Sequence, residues 1–114
     1  MEIGLSGKVA IITGSSKGIG LETALHLVRE GALVTICARN LDNLKVAAKH
    51  ILDETGVEVH YIETDVTKEE ECKRLITSTV EKYGRLDIVV NNAGTSAANP
   101  FEEVGTDLWQ QDLD

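Results

Sequence analysis

A glycine-rich segment, Thr13-Gly14-Ser15-Ser16-Lys17-Gly18-Ile19-Gly20, has the residue types and spacing needed to hold an anionic phosphate. It follows an apolar strand pattern at Val9 to Ile12 and leads into a helical pattern. A turn in this position directs backbone N–H groups and the positive end of the helix dipole at one point. Gly14 permits the tight turn, Gly18 lets a phosphate approach the backbone, and Gly20 lets the helix pack close to its strand. We interpret the segment as a pyrophosphate cradle, since the Gly-Lys-Ser/Thr ending of a P-loop is missing.

The residues around this turn form a repeating pattern of apolar strands and amphipathic helices. Residues 9–13 and 33–38 are apolar at nearly every position, which is typical of strands covered on both faces. From residue 57 onward apolar and polar residues alternate, which is typical of a strand at the edge of a sheet. The predicted elements are, in chain order, a strand at 9–13, a helix at 19–30, a strand at 33–38, a helix at 41–55, a strand from 57 that closes at 65–66, a helix after Thr67 that stops at Gly84, and a strand at 86–90.

Local signals mark the ends of the predicted helices. Asn40 is the expected N-cap of the second helix, and Thr67 with Glu70 forms a capping box for the third. Each helix is expected to stop at a glycine, namely Gly31, Gly56 and Gly84. The inner faces of the second and third helices are predicted from their apolar spacing to be Leu44, Ala47, Ala48, Ile51 and Leu52, and Cys72, Leu75, Ile76, Thr79, Val80 and Tyr83.

The alternation of strands and helices predicts an α/β fold with a Rossmann-type, doubly wound parallel sheet. The apolar first and fourth strands belong in its middle and the half-polar third at its edge, which favours the strand order 3-2-1-4. A ligand crevice is expected at the carboxyl ends of the strands, where the strand order reverses. The glycine turn, Arg39, Asp65 and the turn at 91–94 all fall at those ends.

Composition restricts the possible partners and the compartment. The chain has 114 residues and a net charge of −8, which disfavours nucleic acid and anionic membranes as partners. No leader pattern and no apolar segment of about 18 residues is present, so a cytoplasmic protein is expected. Cys37 and Cys72 are predicted to be buried free thiols. His26, His50 and His60 lack metal-ligand spacing, and we expect them to be solvated, with no metal site.

Two further motifs give the sequence a family resemblance. Thr13 to Gly20 resembles the TGxxxGxG motif of the short-chain dehydrogenase/reductase family, and Asn91-Asn92-Ala93-Gly94 resembles its NNAG motif. Asp65-Val66 matches the acidic residue that follows its third strand. The resemblance extends from about Gly7 to Trp109. It implies an oxidoreductase that transfers a hydride between a nicotinamide cofactor and a carbonyl or alcohol substrate, commonly as a homotetramer.

The resemblance also implies roles for individual residues. Asp65 would accept a hydrogen bond from the adenine amino group, with the Val66 backbone beside it. Thr13 would connect the glycine turn to the NNAG turn. The alternatives are that Asp65 only caps the third helix and that Thr13 is simply a hydroxyl at a strand end. The residues expected to contact the pyrophosphate and its riboses are Gly14, Ser16, Gly18, Ile19 and Gly20, and those expected to line the adenosine ribose are Asn91, Ala93 and Gly94.

The residues after the second strand indicate which nicotinamide cofactor is bound. Arg39 lies 19 residues beyond Gly20, where an acid would bind the 2′-hydroxyl of NAD. The segment Ala38-Arg39-Asn40 contains no carboxylate, and an arginine fork suits a 2′-phosphate, which Lys17 can also reach. The sequence therefore predicts NADP(H) rather than NAD. The alternative is that Arg39 stacks on adenine or is only solvated.

No catalytic residue can be assigned within the 114 residues. The family resemblance implies a tyrosine four positions before a lysine, because the lysine lowers the pKa of the phenol. Here Tyr61 precedes Asp65 and Tyr83 precedes Asp87. With a helix predicted from residue 107 that breaks off at 114, we expect residues 1–114 to be the N-terminal NAD(P)-binding part of a single-domain reductase whose catalytic part lies beyond. The alternative is a stand-alone nucleotide-binding or interaction module without enzyme activity.

Overall fold

The computed structural model describes residues 4–92, and the predicted elements within that range are all present. Ala93, Gly94 and the helix expected from residue 107 lie outside the described residues. The elements are β1 (Val9–Ile12), α1 (Gly18–Arg29), β2 (Leu33–Ala38), α2 (Leu41–Thr55), β3 (His60–Glu63), α3 (Glu69–Tyr83) and β4 (Ile88–Val90). The third and fourth strands are shorter than the sequence pattern predicted.

The four strands form one parallel sheet in the order β3-β2-β1-β4, which confirms the predicted fold class and strand order. In the register of the sheet, Ile12 lies opposite both Ile36 of β2 and Val90 of β4. The carboxyl ends of β1, β2 and β4 therefore meet at one edge. The glycine turn follows β1 at this edge, so it lies between the segments that follow the other two strands.

Helices cover both faces of the sheet and produce two separate cores. All four residues of β1 are fully buried, as expected for a continuously apolar strand between two layers. Ala10 and Ile12 face the core shared with α1 and α2, and Ile11 faces the core shared with α3. The second core comprises Ile11, Cys37, Val66, Cys72, Leu75 and Ile76. None of the three described helices has the length and apolar character needed to span a bilayer.

The expected start of α3 is wrong in detail. The N-cap residue is Lys68, which makes no side-chain capping bond, so Thr67 and Glu70 do not form a capping box. The Thr67 hydroxyl instead donates to Oδ1 of Asp65, and this bond takes it away from the helix end. By contrast, Asn40 caps α2 as expected, with its Oδ1 accepting from the Asn43 N–H at 2.9 Å. Gly56 and Gly84 end their helices in the left-handed conformation.

Two residues predicted for inner helix faces are more exposed than expected. The relative exposure of Leu52 is 39% and that of Val80 is 37%. Each lies in the last turn of its helix, four residues before the capping glycine. The prediction of buried free cysteines is confirmed. Burial raises the pKa of the Cys37 thiol to about 12 and that of the Cys72 thiol to about 11, so both remain protonated.

The expectation that all three histidines are solvated is wrong for His60. His26 and His50 are exposed, but His60 is partly buried and lies between β3 and α3. Its Nε2 is 2.9 Å from the Ser78 hydroxyl, and its ring meets the Tyr83 ring edge to face. Its backbone N–H donates to the Tyr83 hydroxyl, which donates in turn to the Val34 carbonyl. The described residues contain no group of His, Cys, Asp or Glu able to hold a metal.

We expect His60 to make the fold less stable in mild acid. Burial, and secondarily the charge of Lys82, lowers the pKa of His60 below its ordinary value of about 6.5. His60 therefore binds a proton more readily in the unfolded chain than in the folded chain. As a result, the free energy of unfolding decreases as the pH falls through and below about 6.5. Urea unfolding at a pH above about 6.5 and at one below it measures this change. The decrease in the free energy of unfolding between the two should be smaller for His60→Gln than for the wild type.

The matched control is His50→Gln, which removes an exposed imidazole from α2. We expect it to keep the wild-type dependence of unfolding free energy on pH. If His60→Gln also keeps the full wild-type dependence of unfolding free energy on pH, the partly buried imidazole is not the cause of that dependence.

Candidate functional site

The glycine turn leaves the start of α1 open to a ligand. Gly14 and Gly18 have φ angles of 59° and 62°, in the left-handed region that glycine adopts at little cost. A Cβ at Gly18 would meet no atom within 4 Å, so its backbone faces open space. The N-cap residue Lys17 makes no side-chain capping bond, and the first turn of α1 contains no acid. The helix therefore offers N–H groups and a positive potential suited to an anion.

The structural role of Gly20 differs from the one predicted from the sequence. We expected it to let α1 pack close to its strand. A Cβ at this position would instead clash with the Gly14 carbonyl oxygen and lie 2.9 Å from the Cα of Ser15. Gly20 therefore lets the first turn of α1 fold back against the glycine turn itself, which fixes the position of the turn relative to the helix end.

Ser15 anchors the glycine turn to β2. Its side chain is fully buried, and its hydroxyl donates to the Ile12 carbonyl at 2.7 Å. The same oxygen accepts from the Cys37 N–H at 3.0 Å, and the Ser15 N–H donates to the Cys37 carbonyl at 3.1 Å. These bonds join the ends of β1 and β2. Sequence reasoning assigned Ser15 to the loop by position only, because a contact across 22 residues leaves no local pattern.

Thr13 connects the glycine turn to the segment after β4, as the resemblance implied. Its hydroxyl donates to Oδ1 of Asn91 at 2.9 Å and accepts from the N–H of Asn92 at 2.8 Å. Its backbone N–H donates to the Val90 carbonyl at 3.0 Å. Thr13 is fully buried, so these bonds are protected from water. It is therefore more than a hydroxyl at the end of a strand.

Asp65 is held as an ionised side chain at the end of β3. Its Oδ1 accepts from the Thr67 hydroxyl at 2.6 Å and from the Thr67 N–H at 3.0 Å. These two bonds, assisted by the charges of Lys68 and Arg39, hold the pKa of Asp65 below its ordinary range. The alternative that Asp65 only caps α3 is wrong, because its bonds go to Thr67, which precedes the N-cap residue.

A cleft of about 430 Å³ brings several predicted residues together at the carboxyl edge of the sheet. Five of them line it, namely Gly14, Ser16, Arg39, Asp65 and Val66. Arg39 is exposed and forms no ion pair with any residue in the range 4–92. Lys17, Gly18 and Ile19 lie outside this cleft on the adjoining helix start, and the side chain of Ile19 is 79% exposed. Asn91 lies across the turn, bonded to Thr13.

Comparison with known proteins decides the family. Residues 8–114 match the sequence profile described as short chain dehydrogenase. The chain belongs to the short-chain dehydrogenase family. The sheet order and the connected turns found here are thus features of a family member, and the resemblance noted in the sequence is confirmed.

Individual short-chain dehydrogenases are similar over most of the chain. It is 43% identical over 108 residues to the short chain dehydrogenase/reductase astE of Aspergillus oryzae, covering 94% of this chain and 41% of that protein. L-sorbose reductase from Gluconobacter frateurii, solved with NADPH and L-sorbose, is 41% identical with a TM-score of 0.78, over 96% of this chain and 42% of that one. An NAD⁺-bound xylitol dehydrogenase is 37% identical with a TM-score of 0.74, over 80% of this chain and 35% of that one. The chain therefore spans about two fifths of the length of these relatives.

The sequence analysis did not identify Asn43, which lines the cleft, or Glu71, which contacts a residue of its lining. Asn43 lines the cleft from the first turn of α2, next to the capping residue Asn40. Glu71 lies on α3, and its Oε1 accepts from the backbone N–H of Asp65 at 2.8 Å. The spacing of six residues between Asp65 and Glu71 belongs to no standard capping motif, so the sequence offered no signal for this contact.

Proposed function

We propose that the protein containing this chain is an NADP(H)-dependent oxidoreductase that transfers a hydride between the nicotinamide and a carbonyl or alcohol substrate. The observation that carries the proposal is the cleft, which brings the glycine turn, Arg39 and Asp65 together beside the open N-terminus of α1. The NADPH in the related L-sorbose reductase supports the same choice of cofactor. The bound nicotinamide supplies or accepts the hydride.

The residues of the cleft fit a dinucleotide by their chemistry. Backbone N–H groups from the glycine turn and α1 bind the pyrophosphate, and the open space at Gly18 lets the phosphates approach closely. Asp65, held as a carboxylate, accepts a hydrogen bond from the adenine amino group beside Val66. Ile19 contacts the pyrophosphate and its flanking riboses, and Asn91, Ala93 and Gly94 line the adenosine ribose.

The charge at the end of β2 favours NADP over NAD. The segment 38–40 contains no carboxylate that could accept bonds from a 2′-hydroxyl. The exposed guanidinium of Arg39 has no ion-pair partner among the described residues, so its charge is available to a 2′-phosphate, with Lys17 as a second cation. We assign no proton-transfer role to any residue of this chain, and we place the catalytic groups in the remainder of the protein.

The wider properties of the protein follow from the same proposal. The substrate is a small carbonyl compound or alcohol, and the net charge of −8 disfavours nucleic acid and anionic membranes as partners. We propose a cytoplasmic homotetramer, in keeping with the family resemblance.

The test is a fluorescence titration of the full-length protein with NADPH and NADH, followed by turnover assays with ketones, aldehydes and alcohols. We expect saturable binding of both cofactors, with NADPH bound roughly 10- to 100-fold more tightly. We also expect oxidation of NADPH by at least one carbonyl compound. Absence of binding to either cofactor would contradict the proposal. Binding without turnover would support the alternative of a nucleotide-binding module.

A further inference from the structure

Asp65 is fixed from two directions by residues with no assigned role. The hydroxyl and the N–H of Thr67 both donate to Oδ1 of its carboxylate. Its backbone N–H donates to Oε1 of Glu71, which is on the first turn of α3. Within residues 4–92, Oδ2 of Asp65 has no hydrogen bond assigned to it. The orientation of the carboxylate is thus set before any ligand binds, and one oxygen remains for a donor.

Glu71 belongs to a clasp that holds the chain on both sides of Thr64. We call the pair Glu71 and Arg74 the α3 clasp. The guanidinium of Arg74 donates to the Glu63 carbonyl at 3.2 Å and lies 4.0 Å from Oε1 of Glu71. Glu71 in turn accepts from the Asp65 N–H at 2.8 Å. The clasp therefore attaches both neighbours of Thr64, Glu63 and Asp65, to the start of α3.

The position of Glu71 makes its bond stronger than those of neighbouring acids. Its side chain is 31% exposed, whereas those of Glu69 and Glu70 are 64% and 88% exposed and, among residues 4–92, form ion pairs only with Lys73. A hydrogen bond from a backbone N–H to a partly buried carboxylate is charge-assisted and loses little to solvent. Among the three acids of the first turn of α3, Glu71 is the one that contacts the segment lining the cleft.

We propose that Glu71 is a positioning residue for recognition of the base: by holding the backbone of Asp65, it directs Oδ2 at a purine amino group and rejects a purine with an oxo group there. The inference rests on the proposed function, since it assumes a bound adenine dinucleotide. A carboxylate oxygen only accepts hydrogen bonds, so an amino group satisfies it and an oxo group repels it. Selectivity of this kind requires an oxygen held in place.

The test compares NADPH with deamino-NADPH, in which hypoxanthine replaces adenine, by titration of the full-length protein. We expect the wild type to prefer NADPH by roughly tenfold or more. Glu71→Ala should reduce this preference to within about threefold, because Asp65 loses its fixed position. Glu71→Gln should retain it, since the amide oxygen still accepts from the Asp65 N–H. Glu71→Met, which keeps the bulk but lacks the acceptor, should behave like Glu71→Ala.

The matched control is Glu70→Ala, which removes the same charge from the same helix turn without touching Asp65. It should keep the full preference for NADPH. The inference is overturned if Glu71→Met keeps that preference. It is also overturned if this variant weakens binding of NADPH and deamino-NADPH by the same factor, since that result indicates a structural role only. A wild type that binds both compounds equally also overturns it. A wild type that binds neither contradicts the proposed function itself.

Discussion

Replacing Arg39 with alanine is expected to weaken NADPH binding by roughly 10- to 100-fold and to leave NADH binding within about threefold. A hydrogen bond between a guanidinium and a phosphate contributes about 1.5–3 kcal/mol, and NADH lacks the 2′-phosphate that receives it. Arg39 lines the cleft at the end of β2 and has no competing ion pair within residues 4–92. Its loss therefore removes an interaction with the cofactor and breaks no ion pair within residues 4–92. It also removes one of the two positive charges that assist Asp65, which affects NADPH and NADH alike.

The measurement is a titration of the full-length variant with both cofactors, and the pattern of loss distinguishes three roles for Arg39. A residue bound to the 2′-phosphate affects NADPH alone. An arginine stacked on adenine would weaken NADPH and NADH equally, because both contain the base. A solvated arginine would affect neither. Either of the last two results would contradict the proposed preference for NADP.

Arg29→Ala is the matched control for this experiment. Arg29 is the last residue of α1, and its guanidinium lies 3.7 Å from Oε2 of Glu54. A 12-residue helix places it roughly 16 Å from the start of α1, where the phosphates are proposed to bind. Both side chains of this pair are about half exposed, so its loss costs little stability. The variant has the same change in net charge as Arg39→Ala and should bind both cofactors as the wild type does.

The sequence predicted the sheet well because the relevant signal is local. A strand with apolar residues at successive positions must be covered on both faces, and β1 is fully buried in the centre of the sheet. The alternating residues of β3 placed it at the edge, where its burial does alternate. Asn40 and Gly56 were identified as the ends of α2 because capping depends on a few neighbouring residues.

The details of the site were harder to predict because they depend on contacts between distant residues. The Thr67 hydroxyl could accept a bond from the N–H groups at the start of α3 or donate to a nearby carboxylate, and only the folded chain shows that it donates to Asp65. Ser15 looked like any loop serine, although it is buried against Cys37 of the neighbouring strand. His60 looked like a polar edge residue, but α3 covers it with Ser78 and Tyr83. In each case the hydrogen-bond partner is determined by how distant elements pack together, and the spacing of apolar residues along the sequence carries no information about it.

Substituting alanine for Gly20 is expected to lower the free energy of unfolding by about 1–3 kcal/mol and to weaken NADPH binding roughly tenfold or more. The added methyl group would clash with the Gly14 carbonyl oxygen and approach Ser15 Cα to 2.9 Å, both of them backbone atoms that no side-chain rotation can relieve. The glycine turn must therefore move away from α1. That movement separates the N–H groups of the turn from those of the helix end, which together are proposed to bind the pyrophosphate.

Gly84→Ala separates this clash from the general cost of replacing a glycine. Gly84 ends α3 with a φ of 85°, and a Cβ there would meet no atom within 4 Å. Its replacement should cost about 1–2 kcal/mol through backbone strain alone. Chemical denaturation of both variants should therefore show similar losses of stability, whereas NADPH titration should show a loss of affinity for Gly20→Ala only. Equal affinity in the two variants would mean that the close approach between α1 and the glycine turn supports the fold without shaping the phosphate site.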